Sequence, residues 1–220
     1  MLKKSVYTIA ALILSTAAHA NSINLSYLSP NTKVATKVSV NSSTLYTYMG
    51  SYNLLASNSA SPLVGFCVDP FQWASSTPSQ YESSSLDASD FFSGNGATRF
   101  ANAQKLFDNA YATLSGNQQT AGFHLALWEI FHDDLNTASG NISAVASSDA
   151  GMVTAANSFL GALNGWNTTN AYNLTFHSSG RYQDFLTATP SSVPVPAALP
   201  LLASSVLGYA ALRRRKKLNN

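Results

Sequence analysis

Charge is what this sequence has least of. Lys, Arg, Asp and Glu together make up 10% of the 220 residues, against roughly a quarter in an average globular chain. Ser, Thr, Asn and Ala fill the difference, giving a surface that is polar without being ionic, as in many exported and cell-surface proteins. Cysteine is almost absent. Cys67 stands alone, so no internal disulfide can form, and the thiol is a buried small hydrophobe, an intermolecular link or a reactive group. No internal repeat and no H-E-x-x-H segment is present. Disorder is the competing explanation for so much Ser and Asn, but aromatic residues make up 11% and apolar residues 45% of the chain. A chain of that composition can fold.

The few charges are unevenly placed. Lys3 and Lys4 stand near the start, and Arg213, Arg214, Arg215, Lys216 and Lys217 near the end; all 10 Asp and Glu lie between. The segment between the basic ends carries 5 basic and 10 acidic residues, net −5, where the whole chain is +2. The basic ends therefore give no ground for a nucleic-acid partner.

Both ends read as labels. Residues 1–20 run from Lys3 and Lys4 through the apolar stretch Val6 to Leu14 to Ala18-His19-Ala20, an A-x-A exit. This predicts a signal peptide handled by the Sec translocon and cleaved after Ala20, with the mature chain starting at Asn21. At the other end Val193-Pro194-Val195-Pro196-Ala197 precedes an apolar run from Ala198 to Leu212 and the basic stop Arg213 to Lys217. About fifteen apolar residues are short against the roughly 20 that span a bilayer core. Flanking Lys and Arg stay on the cytoplasmic side, which puts the body outside.

The layout of residues 193–217 resembles the VPLPA and PEP-CTERM class of C-terminal sorting signals of Gram-negative bacteria, with Val195 where the commoner form has leucine. The resemblance implies inner-membrane attachment, transient or stable, through a helix over about 198–212. It further implies processing by an exosortase and delivery to the outer surface or biofilm matrix, among cell-envelope or exopolysaccharide components. A plain single-span anchor is the alternative, and it leaves the same domain outside.

The body, residues 21–186, is long enough for one domain with a core of its own. Residues 187–196, rich in Thr, Ser and Pro, are expected as a linker. Period-2 placement of Val34, Val38, Val40, Leu45, Tyr46 and Tyr48 predicts short antiparallel strands, with turns at Pro30-Asn31, Asn41-Ser42 and Met49-Gly50. Leu63 to Val68 reads as a central strand carrying the cysteine, and Ser75 to Asn95 as a long loop. Helices are expected over Thr98–Leu114, Gln118–Asp133 (capped by Asn117) and Asp149–Leu163 (capped by Ser148), followed by strands over Ala171–Phe176 and Arg181–Leu186. The fold class is α+β: antiparallel strands with about three helices.

At 100° per residue, the second helix places Thr120, Phe123, Leu127, Trp128, Ile130 and Phe131 in an arc of about −120° to +40° around His124. A buried imidazole without partners is costly, so a polar group is expected to face His124. Glu129, His132 and Asp133 fall on the opposite arc and read as a solvated face. His124 and His132 are about 12 Å apart along the axis, too far to share one zinc. No metal or other cofactor is expected.

Phe66-Cys67-Val68-Asp69, followed some fifty residues later by Ala121-Gly122-Phe123-His124-Leu125-Ala126-Leu127-Trp128-Glu129-Ile130, resembles the two halves of a bacterial surface thioester domain. In that family a strand cysteine bonds to the side chain of a glutamine in a helical Q-L-A-I-W type segment. Here the alignment puts His124 at the glutamine position, and an imidazole has no acyl carbon for the thiol to attack. Gln119 lies five positions earlier than His124, about 140° around the helix, and Gln118 one position farther along the chain. The expectation is a non-enzymatic surface or matrix protein. The alternative is a covalent adhesin or Cys-dependent transferase acting through Cys67, with His124 as its reactive partner.

Overall fold

The computed structural model describes residues 21–85 and 95–191. The expected signal peptide (with Ala18 and Ala20), the sorting motif Val193 to Ala197 and the basic stop all lie outside the described residues. Among those described, no helix is long and apolar enough to cross a membrane. The chain divides into a unit ending at Thr189 and a second, Pro190–Asn220, of which only Pro190 and Ser191 are described.

The fold is α+β, with seven strands in one antiparallel sheet and three α-helices among the described residues. β1 (Asn21–Val40) and β2 (Ser43–Ala56) form a long hairpin. Its turn is Asn41-Ser42, at φ 49° and 63°, the left-handed pair that matches strand twist in a two-residue turn. The turns expected at Pro30-Asn31 and Met49-Gly50 are absent. Proline has no N–H to give a ladder, and Pro30 is accommodated by a register shift between Pro30 and Thr32, a bulge in place of a reversal. Gly50 stays in β2 at φ 148°, where a Cβ would lie 2.0 Å from the Thr32 carbonyl oxygen.

β3 (Leu63–Cys67) pairs with β2 and with β7 (Phe185–Pro190), which takes in residues 187–190 of the expected linker. β4 (Ser79–Ser85) lies inside the stretch expected to be loop and pairs with β1 and with β6 (Tyr172–Ser178). β5 (Ile142–Ala144), also unforeseen, adds to the far end of β1. The order β2-β3-β7-β6-β4-β1-β5, with β1 also paired to β2, closes six strands into a circuit.

The helices are α1 (Gly96–Ala110, continued by a 3-10 turn at Tyr111–Thr113), α2 (Gly116–His132) and α3 (Ala150–Ala162). Ser115 precedes α2 where Asn117 was expected. The cap of α3 is Asp149 and not Ser148, its carboxylate accepting the Met152 N–H at 2.7 Å. Every residue of α2 from Thr120 to Phe131 is buried, as in a helix with protein on all sides. One side of it joins Phe66, Phe107, Phe176 and Leu186 in a core with α1 and α3. The other joins Leu54, Cys67, Tyr81 and Phe185 in a second core under β1 and β2. Neighbours on β3 and β7 (Phe66 and Cys67, Leu186 and Phe185) divide between the two cores, as strand alternation requires.

Close packing of α2 on α3 depends on Gly122, where a Cβ would stand 2.5 Å from the Ala155 Cβ and 2.7 Å from the Met152 carbonyl oxygen. Gly122→Ala is expected to cost on the order of 1–3 kcal/mol through overpacking. Gly161→Ala on α3, where a Cβ meets nothing within 4 Å, is expected to add about 0.4–1 kcal/mol. Urea unfolding of the two variants reads this opposition directly.

Candidate functional site

Cys67 ends β3 and His124 sits midway along α2, and the fold brings them together. The contact runs through the backbone of Cys67. His124 Nε2–H donates to the Cys67 carbonyl at 2.7 Å, and His124 Nδ1 accepts the Gly50 N–H at 3.0 Å. A backbone N–H can only donate and a carbonyl only accept, so the two bonds fix the tautomer. The indole N–H of Trp128, one turn on, donates to the same Cys67 carbonyl at 3.0 Å. The polar partner expected for His124 is thus backbone from two strands. The ring is wholly buried, and burial pushes its pKa down to about 3, against the opposing pull of the Cys67 carbonyl. It is a neutral imidazole at pH 7.

The thiol faces elsewhere. Cys67 Sγ donates to the Asp69 carbonyl at 3.2 Å, with no accessible surface on the residue. Burial drives its pKa well above the usual thiol range, away from the thiolate that a nucleophile needs. His124, with both nitrogens engaged, is not placed as its base. Gln119, on the exposed start of α2, accepts from the Ser115 N–H at 3.0 Å and does not approach.

Beyond Cys67 the chain turns outward. Asp69 is buried and its Oδ1 accepts the Phe71 N–H at 2.8 Å, holding the segment that follows. Phe71 is 55% and Trp73 77% exposed. They flank a cleft of about 170 Å³ whose lining includes Pro70, Gln72, Trp128 and Gln183. Gln72 Oε1 is buried there without a hydrogen-bond partner. Gln183 Nε2 donates to the Asp69 carbonyl at 3.2 Å, tying β7's approach to this segment.

Two features lay beyond the sequence reading. His177 of β6 joins Ser83 of β4 at 2.7 Å and Thr187 of β7 at 2.9 Å, a buried polar rung across three strands. It depends on β4, which reads as loop, and on His177 and Thr187, which lie just past the ends of the strands expected there. The other corrects the expected solvated face. Glu129 is fully buried and Asp133 half-buried, because the 133–142 segment folds back over the end of α2: Asp133 accepts the Ile142 N–H and Glu129 Oε2 the Asn136 N–H. Burial, with the Asp133 charge adding, raises the Glu129 pKa to about 8. His132 too is half-buried, hydrogen-bonded to the Val68 carbonyl.

The depressed His124 pKa makes a signed prediction. Folded His124 takes a proton only near pH 3, whereas the unfolded residue does so near 6.5. Its stabilising share is therefore complete above about pH 6.5 and is lost as pH falls toward 3, by a few kcal/mol at most. His124→Gln keeps one acceptor and one donor without that proton uptake. Between pH 7 and pH 4 the urea midpoint of wild type should therefore lose more, or gain less, than that of the variant. His177 and His132, lowered by burial, act in the same direction in both proteins, and Glu129 and Asp184, raised by burial, in the opposite one.

No family model matches the chain, and no curated protein does. Among solved structures, the N-terminal domain of the Streptococcus pyogenes pilus tip adhesin Cpa is similar. The TM-score is 0.47 and the identity 11%, and the match covers 81% of this chain and 97% of that chain.

Proposed function

We propose that the chain is an exported, non-enzymatic binding or structural protein of the cell surface or extracellular matrix, with the cleft beside Trp73 as its contact surface. One observation carries the reading: the nucleophilic residue is sealed inside and the aromatic rings stand outside. Cys67 is fully buried at its hydrogen bond to Asp69, while Trp73 and Phe71 are exposed on the segment that follows. Aromatic faces bordered by amide groups suit a sugar ring, which offers C–H faces for stacking and hydroxyls for hydrogen bonds. Gln72 and Gln183 supply those amides. An exopolysaccharide is the ligand class this favours, in line with the sorting label at residues 193–217. Export by the Sec route and exosortase processing belong to the same reading, supported by the order of motif, apolar run and basic stop.

Two outcomes are expected. Alkylation of the native protein should leave Cys67 unmodified, and denaturant should expose it to full labelling, both read by intact mass. A native mass lower by one ammonia, with the thiol released by methylamine, would overturn the non-covalent reading in favour of a thioester adhesin. Trp73→Ala should weaken retention on the producing cell's purified exopolysaccharide at least tenfold while leaving the unfolding free energy from urea titration within about 0.5 kcal/mol of wild type. Equal retention of variant and wild type would remove the cleft from the proposal.

A further inference from the structure

The structure assigns a divalent-cation site, Ca²⁺ by its donor chemistry, to Glu129, Asp133 and Asp134, where the end of α2 meets the segment leading into β5. One oxygen from each carboxylate lies within 4.8 Å of the others. Clustering alone would mean little, since acidic groups often gather without a ligand. The second observation is Glu129 Oε1. Glu129 has no accessible surface, and this oxygen has no hydrogen-bond partner, a rare state for a buried polar atom.

The surroundings orient the donors. Glu129 Oε2 and Asp134 Oδ1 both accept the Asn136 N–H, at 3.1 and 3.0 Å, and Asp133 Oδ2 accepts the Ile142 N–H. Each carboxylate is thereby held by one oxygen, and the other oxygen is left for a ligand. Burial falls from Glu129 through half-buried Asp133 to exposed Asp134, which gives an ion a path from solvent with its deepest ligand at the end. Gly140, at φ 96°, approaches so closely that a Cβ there would lie 2.3 Å from Asp133 Oδ2. The three carboxylates also sit at the C-terminal end of α2, where the helix dipole is negative and favours a cation.

An all-oxygen set excludes the nitrogen and sulfur preferences of zinc and copper. Ca–O bonds of about 2.4 Å place opposite ligands up to ~4.8 Å apart, and Mg–O bonds of about 2.05 Å only ~4.1 Å. Separations within 4.8 Å admit either ion. Three carboxylates from the protein itself suit Ca²⁺, because Mg²⁺ holds several waters and binds through one or two carboxylates, and water completes the Ca²⁺ shell on the Asp134 side. Bound there, the ion fastens the end of α2 to the loop that delivers β5 to β1.

The test is calorimetric titration of CaCl2 and MgCl2 into the EDTA-stripped protein, with thermal melts in parallel. Wild type is expected to bind Ca²⁺ saturably, with a Kd of about 10⁻⁴–10⁻³ M as in extracellular modules. Its Tm should rise by several degrees at millimolar Ca²⁺, and Mg²⁺ should bind at least tenfold more weakly. Glu129→Gln should abolish the response. Asp134→Asn is exposed and outside the packed core, so it should keep the wild-type Tm in EDTA and still weaken Ca²⁺ at least tenfold. Absence of saturable heat and of any Tm shift up to about 10 mM Ca²⁺, ten times the weakest Kd of that class, would overturn the site. So would an Asp134→Asn variant that responds as wild type does.

Discussion

Everything near the centre of this fold is tied to one neutral imidazole. His124 accepts from Gly50 on β2 and donates to Cys67 on β3, so a single side chain of α2 satisfies backbone groups on two adjacent strands. Both groups are withdrawn from ordinary ladder pairing. Gly50 sits at φ 148° against Thr32, and Cys67 is the last residue of its strand. Without the ring the Gly50 N–H would be a buried donor with no partner, at a cost of about 1–3 kcal/mol, and the Cys67 carbonyl would keep only the Trp128 indole N–H. Protonation would replace the acceptor at Nδ1 with a second donor, aimed at a donor. Burial and geometry thus enforce the same protonation state.

That arrangement requires a helix that runs through the molecule instead of over it. α2 is buried from Thr120 to Phe131, with one core beneath α1 and α3 and another beneath β1 and β2. Its small residues serve approach: Gly122 meets α3 at Ala155, and Ala121 and Ala126 lie one in each core. Its large residues fill: Phe123 packs at 4.9 Å from Phe66 and 5.0 Å from Phe107 between ring centroids. The thiol of Cys67 is one more small group in this packing. A thiol surrounded by rings and held to a carbonyl behaves as a hydrophobe with a weak donor.

The parts of this structure legible in the sequence were those set by local periodicity. The three helices, the strand carrying Cys67 and the inward direction of His124 follow from spacing alone. The unread parts depend on what covers what. Glu129 falls on the polar arc of α2, yet the 133–142 segment buries it, and no helical wheel contains that segment. β4 reads as loop because Ser79–Ser85 presents only Tyr81 to the core; its strand character comes from β1 and β6 on either side. Pro30 and Gly50 signal turns in isolation, and the long β1–β2 ladder absorbs one as a bulge and the other as a left-handed strand residue. The resemblance to a thioester domain set His124 at the glutamine position and left its meeting with Cys67 open; tertiary geometry decides that the ring meets the Cys67 carbonyl and not the thiol.

The pairing of β3 with β7 bears on when the domain can become whole. Cys67 lies opposite Phe185, and Gly65 opposite Thr187, so partners in the middle of the sheet are separated by more than half the sequence. Contacts that distant in the chain slow folding, because the intervening segment must be ordered before they form. A chain emerging amino end first can assemble the β1–β2 hairpin early, since its strands are neighbours in sequence. β3 must wait, one edge open, until nearly everything else has appeared. The last described strand is therefore the latch of the fold: until it emerges, β3 stands without the partner that seals its far edge.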